Sequence, residues 1–170
     1  VQPEKHHLLL FMRGVNLNPD AEPEDMVSLR IFADERRVIS LRMRRLRARA
    51  EVAAEFEEGK GPANSQSLVL RLADLMTGKI QPLVTELSEL VDTQDEQIEL
   101  DDNYAPDHSK MVAAKRRSAS LRRFLAPQRD IFFEMAREKL EWFVGDQAKD
   151  WSELGNSLTR HLDELELIRE

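Results

Sequence analysis

Hydrophobic and polar positions divide the chain into a β-patterned first quarter and a helical remainder. His7 to Arg13 is a short apolar run of strand length, and Gly14 to Asp25 holds Asn16, Asn18, Pro19, Asp20 and Pro23, the residues of a loop. Val27, Leu29, Ile31 and Ala33 then alternate with polar Ser28 and Arg30, the period of a half-buried strand. Asp34 to Arg37 turns the chain, and Val38 to Met43 returns it, which predicts a hairpin. Strands are therefore expected over 7–13, 27–33 and 38–43, as part of a sheet whose other partners lie before Val1.

From Arg44 onward the period lengthens to that of a helix. A first helix is predicted over 44–58, stopped by Gly59-Lys60-Gly61-Pro62. Ser65 is the expected N-cap of a much longer one. Its apolar stripe of Val69, Leu72, Met76, Ile80, Leu83, Leu87, Leu90 and Ile98 persists for about ten turns, a length of ~55 Å. Pro82 interrupts this stripe and predicts a bend rather than a break. Asn103 to Pro106 makes a tight connection, Asp107 caps the return helix, and Met111, Ala114, Ser118, Leu121 and Leu125 form its buried stripe. Two long helices joined by a short loop predict an antiparallel hairpin. Pro127 is expected to restart a shorter helix through Phe132 and Met135, followed by a loop around Gly145.

The last helix starts near Asp150. Trp151, Leu154, Leu158, His161, Leu165 and Ile168 step by three and four, a heptad pattern. No glycine, asparagine or proline ends it before Glu170, so the helix is expected to continue in a longer protein, and with Val1 in first place a processed or trimmed N-terminus is expected. The fold class expected is α+β and helix-dominated. A partial β-sheet layer (1–64) precedes a helical hairpin with a short helix (65–147) and the start of a stalk helix (148–170).

Composition narrows the function. With no cysteine there are no disulfides and no thiolate metal sites, and a reducing compartment is the natural setting. No apolar run approaches the roughly 18 residues of a membrane span, and no signal-peptide pattern opens the chain. The net charge of −7 argues against a nucleic-acid binder. Its distribution is uneven: Arg36 to Arg49 contains seven arginines and no acid, whereas Asp92 to Asp107 contains seven acids and no base. The arginine run suits either an anionic surface, lipid headgroups rather than nucleic acid, or salt bridges to the acidic half of the hairpin or to a neighbouring subunit. A second basic run, Lys115, Arg116, Arg117, Arg122 and Arg123, lies on the return helix, where part of it can pair with the acidic flank.

Catalytic signatures are missing from this sequence. His6, His7, His108 and His161 form no HExxH motif, and neither a GxSxG elbow nor a glycine-rich phosphate loop occurs, so no enzyme activity is expected. Two metal candidates remain. Asp92, Asp95, Glu96 and Glu99 lie along one side of a helix, where carboxylate oxygens suit a hard divalent cation, although a solvated helix end is the plainer reading. His161 on the heptad stripe would form a ring of imidazoles in a symmetric oligomer, a zinc-type arrangement, although a packed histidine is the plainer reading.

Several segments together resemble a known family. They are Phe11-Met12-Arg13-Gly14-Val15-Asn16-Leu17-Asn18-Pro19, Pro23-Glu24-Asp25-Met26-Val27-Ser28-Leu29-Arg30, Val38-Ile39-Ser40-Leu41-Arg42, Leu121-Arg122-Arg123-Phe124-Leu125-Ala126-Pro127-Gln128-Arg129 and Asp163-Glu164-Leu165. The chain is similar along its whole length to the cytoplasmic domain of the zinc-transport (ZntB) branch of the CorA metal-ion transporter superfamily. That resemblance implies a homopentamer whose cytoplasmic domains form a funnel at the bacterial inner membrane, with an αβα layer around it. It also implies that the last helix runs into the first membrane span, and that zinc or another divalent cation is the transported ion, with no resident cofactor. The family's Gly-x-Asn pore signature belongs after Glu170. Gly14-Val15-Asn16 matches its letters in a soluble loop, so the role is not transferred. The implied role of this piece is funnel assembly, an ion vestibule and metal sensing. The alternative is a soluble helical adaptor whose hairpin and heptad helix bind another protein's helix.

Overall fold

The computed structural model describes residues 2–3, 6–101 and 103–169. Four antiparallel strands come first: β1 (Gln2–Pro3), β2 (Leu8–Gly14), β3 (Val27–Ala33) and β4 (Val38–Arg42), paired in that order. The two-residue β1 adds to the three strands expected from the sequence. In the β2–β3 register Leu10 faces Ile31 and Met12 faces Leu29, so one face of this strand pair is continuously apolar. Leu8, Leu10, Met12, Leu29, Ile31 and Ala33 on that face are buried, whereas Phe11, Ile39 and Leu41 on the other remain exposed. The β3–β4 turn is held by Asp34, whose Oδ1 accepts the backbone N–H of Arg36 at 2.9 Å and of Arg37 at 3.0 Å. The Arg36 bond chiefly holds this carboxyl below the usual range.

Five helices follow: α1 (Arg47–Glu57), α2 (Ser65–Gly78), α3 (Gln81–Leu100), α4 (His108–Arg137) and α5 (Ala148–Leu167). The first begins three residues later than expected, because Leu46 is extended and buries its side chain in the core. Ser65 is the first helical residue rather than the cap. Asn64 caps α2, its side chain accepting the N–H of Ser67 at 2.9 Å.

Both prolines act differently from expectation. Around Pro82 the predicted single helix is interrupted, with α2 ending at Gly78 and α3 starting at Gln81. Proline has no N–H for the carbonyl of Gly78, and it sits instead in the first turn of α3, where that donor is dispensable. The apolar stripe nevertheless crosses the interruption, because Ile80 between the two helices is fully buried. Pro127 was expected to restart a helix, yet α4 runs through it for 30 residues. Leu121, Leu125, Gln128, Phe132 and Met135 bury one continuous face on both sides of it, and that packing outweighs one missing hydrogen bond.

The hairpin of α3 and α4 forms as predicted. Asp107 caps α4 by accepting the N–H groups of Ser109 and Lys110, and Gln94 Oε1 accepts both the Tyr104 hydroxyl and the Asp107 N–H at 3.0 Å. The most extensive helix contact is between α4 and α5, while α2 and α4 lie under the sheet. Sheet, hairpin and α5 contribute to one core cluster, in which the ring of Phe132 lies 5.5 Å from that of Trp151.

Candidate functional site

Two features decide what the molecule can do with charge: the far end of α3 and the surroundings of α4. Along α3 the stripe is buried as far as Leu87, and Leu90 and Val91 are partly buried. Beyond them the helix leaves the core, with Ile98 44% and Leu100 79% exposed. Asp92, Asp95, Glu96 and Glu99 occupy this outlying segment, and all four are exposed. Asp102 lies outside the described residues. The acids sit at the negative end of the helix macrodipole, so their fields add to it rather than oppose it. The end of α3 is thus a source of negative potential that concentrates cations from water. Among the described residues, no group of three or more His, Asp or Glu side chains converges into a metal cage.

His161 is placed quite differently. It is 3% exposed, on the face of α5 that packs inside the chain, and its Nδ1 has no hydrogen-bond partner among the described residues. Burial pushes its pKa below the ordinary histidine value, Glu164 pulling it back up and Arg160 lowering it further. The whole heptad stripe behaves likewise: Trp151, Leu154, Leu158, Leu165 and Ile168 are buried within this one chain. The helix-docking seam required by the adaptor reading is therefore already filled, chiefly by α4. A cation in solvent reaches the acids of α3 and not His161.

The basic runs divide between paired and unpaired residues. Arg117 on α4 does meet an acid of α3, with Nη1 2.9 Å from Glu86, and it also lies 3.1 Å from Glu24 in the β2–β3 loop. Arg122 pairs with Glu166 of α5. In the first run Arg37 pairs with Asp34. Of the alternatives for the rest of that run, salt bridges to the acidic hairpin within this chain do not form: Arg44, Arg45, Arg47 and Arg49 are exposed and have no carboxylate partner among the described residues. The reason is distance along the fold, since the acids lie on the part of α3 that has left the core.

Three buried polar residues that fix this geometry gave no motif in the sequence. Gln66 donates to the carbonyl of Gly145 at 2.9 Å and accepts the Val144 N–H at 2.9 Å, which holds the loop before α5. Gln128 does the same for the end of β2, accepting the Arg13 N–H at 2.6 Å and donating to its carbonyl at 3.1 Å. Ser118 bonds to α5. The available signal was a polar residue on an otherwise apolar helical stripe, which implies a specific buried partner without naming it.

No helix among the described residues is long and apolar enough to cross a membrane. The model of a family described as CorA-like Mg2+ transporter protein matches residues 1–170. The divalent cation transporter CmaX of Pseudomonas aeruginosa is 54% identical over 163 residues, which is 96% of this chain and 49% of that protein. The structure of full-length CmaX superposes with a TM-score of 0.94 at 51% identity, covering 99% of this chain and 52% of that one. The crystal structure of the ZntB cytoplasmic domain from Vibrio parahaemolyticus gives a TM-score of 0.80 at 28% identity, over 96% of this chain and 64% of that one. The chain spans about half the length of the curated relatives it matches.

Proposed function

The chain belongs to the family of CorA-like Mg2+ transporter proteins, and from that premise we propose that it is the cytoplasmic domain of a bacterial inner-membrane divalent-cation transporter. The observation that carries this reading is the agreement of fold over 99% of the chain with a full-length divalent-cation transporter twice its length. In the whole protein α5 continues as a stalk toward the first membrane span, and the selective pore lies beyond Glu170. Selectivity, in this reading, is not a property of these 170 residues.

The chain's share of the work is assembly and approach. Five copies form a funnel with the α5 helices as its stalk, and the exposed outer face of the sheet, with Phe11, Ile39 and Leu41, packs against the rest of the α/β layer. Asp92, Asp95, Glu96 and Glu99 raise the local concentration of divalent cations, an effect that repetition around a ring multiplies. Zinc is the transported ion favoured by the sequence resemblance, and sensing of intracellular metal would use the same exposed acids. His161, buried by its own chain, contributes to packing.

The reading is tested by the protein that the gene encodes. It is expected to continue past Glu170 into a hydrophobic span within ~30 residues, the reach of a stalk helix to the bilayer. Purified in detergent, that protein should have the mass of five subunits. A reading frame that ends without a hydrophobic span, or a stable monomer of the full-length protein, would contradict the proposal.

A further inference from the structure

The end of β2, the segment after β4 and the middle of α4 meet at a surface cleft of 370 Å³ whose lining includes Arg13, Arg44, Arg123, Phe124, Ser120 and Asp25. Arg44 comes from the first basic run of the sequence and Arg123 from the second, and the fold brings them together beside Arg13. The backbone of Arg13 is fixed on both sides by Gln128. Its guanidinium carbon lies 4.9 Å from the centre of the Phe124 ring, and that of Arg123 lies 4.8 Å from the same centre. Cation–π contact with one ring holds both groups while leaving their N–H forks available.

Those forks have little else to bind. Arg13 Nη1 reaches the carbonyl of Met26 only at 3.5 Å. Other arginines of the chain have carboxylate partners, as in Arg117 with Glu24 and Arg129 with Asp130. Arg13, Arg44 and Arg123 have none among the described residues. Three positive charges against the single carboxylate of Asp25 leave an excess of two. Like charges gathered in one cleft repel unless an anion joins them. Anionic phosphate oxygens answer this excess, and planar guanidinium forks match them better than they match a spherical halide. The Ser120 hydroxyl on the rim supplies a further donor.

We propose that this cleft is a binding site for a phosphate-bearing anion, gripped by Arg13, Arg44 and Arg123. The site is independent of the transport reading, since it is complete within one copy of the chain.

The test is calorimetric titration of the full chain with pyrophosphate at constant ionic strength, alongside sedimentation with phosphatidylglycerol vesicles. Saturable binding of one pyrophosphate per chain is expected. Arg44→Gln and Arg123→Gln should each weaken it by about tenfold, as for loss of one charge-assisted contact. Arg49→Gln, which removes an exposed arginine outside the cleft, should leave it unchanged, and all three variants should keep the parent's thermal unfolding. Binding only to vesicles, with the same dependence on Arg44 and Arg123, supports the site and identifies the phosphate as a headgroup's. Failure to bind either probe, or equal weakening by Arg49→Gln, would overturn the proposal.

Discussion

Ser118 donates its hydroxyl to the backbone carbonyl of Leu165 at 2.6 Å, with both residues fully buried between α4 and α5. One turn along α4, Arg122 Nη1 donates to the carbonyl of Leu162 at 2.8 Å. The N–H of Arg169, which would serve Leu165 in a continuing helix, turns to Glu166 at 2.9 Å instead. Ser118 of α4 thus takes over the carbonyl of Leu165, and Arg122 adds a bond to that of Leu162 within α5. The helix proposed to lead to the membrane is held in rotation and height by its neighbour. Ser118→Ala leaves the Leu165 carbonyl without that donor in a buried place and should cost about 1–3 kcal/mol. Urea unfolding of the parent and the variant measures it.

A second anchor joins α4 to the sheet. Gln128 is 2% exposed and bonds to both the N–H and the carbonyl of Arg13. Gln128→Leu keeps the volume roughly constant but removes both bonds, leaving a backbone N–H near the end of β2 unpaired. The expected loss is about 2–3 kcal/mol. Faster hydrogen exchange at Arg13, with Leu10 in mid-strand less affected, would localise it.

The two prolines should respond oppositely to replacement. Pro127 lies inside α4 and denies it one backbone hydrogen bond, so Pro127→Ala is expected to stabilise the chain by about 1–3 kcal/mol. Pro82 lies in the first turn of α3, where its missing donor costs nothing, and Pro82→Ala should change stability by less than about 0.5 kcal/mol. Thermal melts of the two variants compare them directly.

His161 gives the chain a pH dependence of known sign. Burial lowers its pKa in the folded chain below the unfolded value of 6.5, so the unfolded chain binds the proton more readily. Its contribution to stability is complete above pH 6.5 and is lost as pH falls through the depressed folded value. Unfolding free energy measured downward from pH 7 should fall in the parent, and the slope should be shallower in His161→Gln.

Legibility in the sequence followed how local each determinant is. The β3 strand, the Asp34 turn, the Asp107 cap and the α5 stripe depend on residues within a few positions of one another, and spacing alone predicts them. The interruption at Pro82 and the continuity through Pro127 do not: the same residue type broke one helix and was absorbed by another. What separates them is tertiary, since Pro127 lies between turns of α4 that bury one uninterrupted face. The acids of α3 were visible as a charge run, whereas their isolation from the basic runs depended on where the hairpin leaves the core. The meeting of Arg13 with Phe124 joins residues more than a hundred positions apart, and no local pattern announces it.

Ion flux tests most directly whether this chain is the cytoplasmic part of a divalent-cation transporter. The full-length protein encoded by the gene, reconstituted into liposomes that enclose a zinc-sensitive dye, should admit Zn²⁺ at a rate well above empty liposomes. Neutralising Asp92, Asp95, Glu96 and Glu99 together should slow that flux at low external zinc on the domain's side and spare it at high zinc. Liposomes that hold the correctly assembled protein yet pass neither Zn²⁺ nor any other divalent cation faster than the empty control would contradict the account.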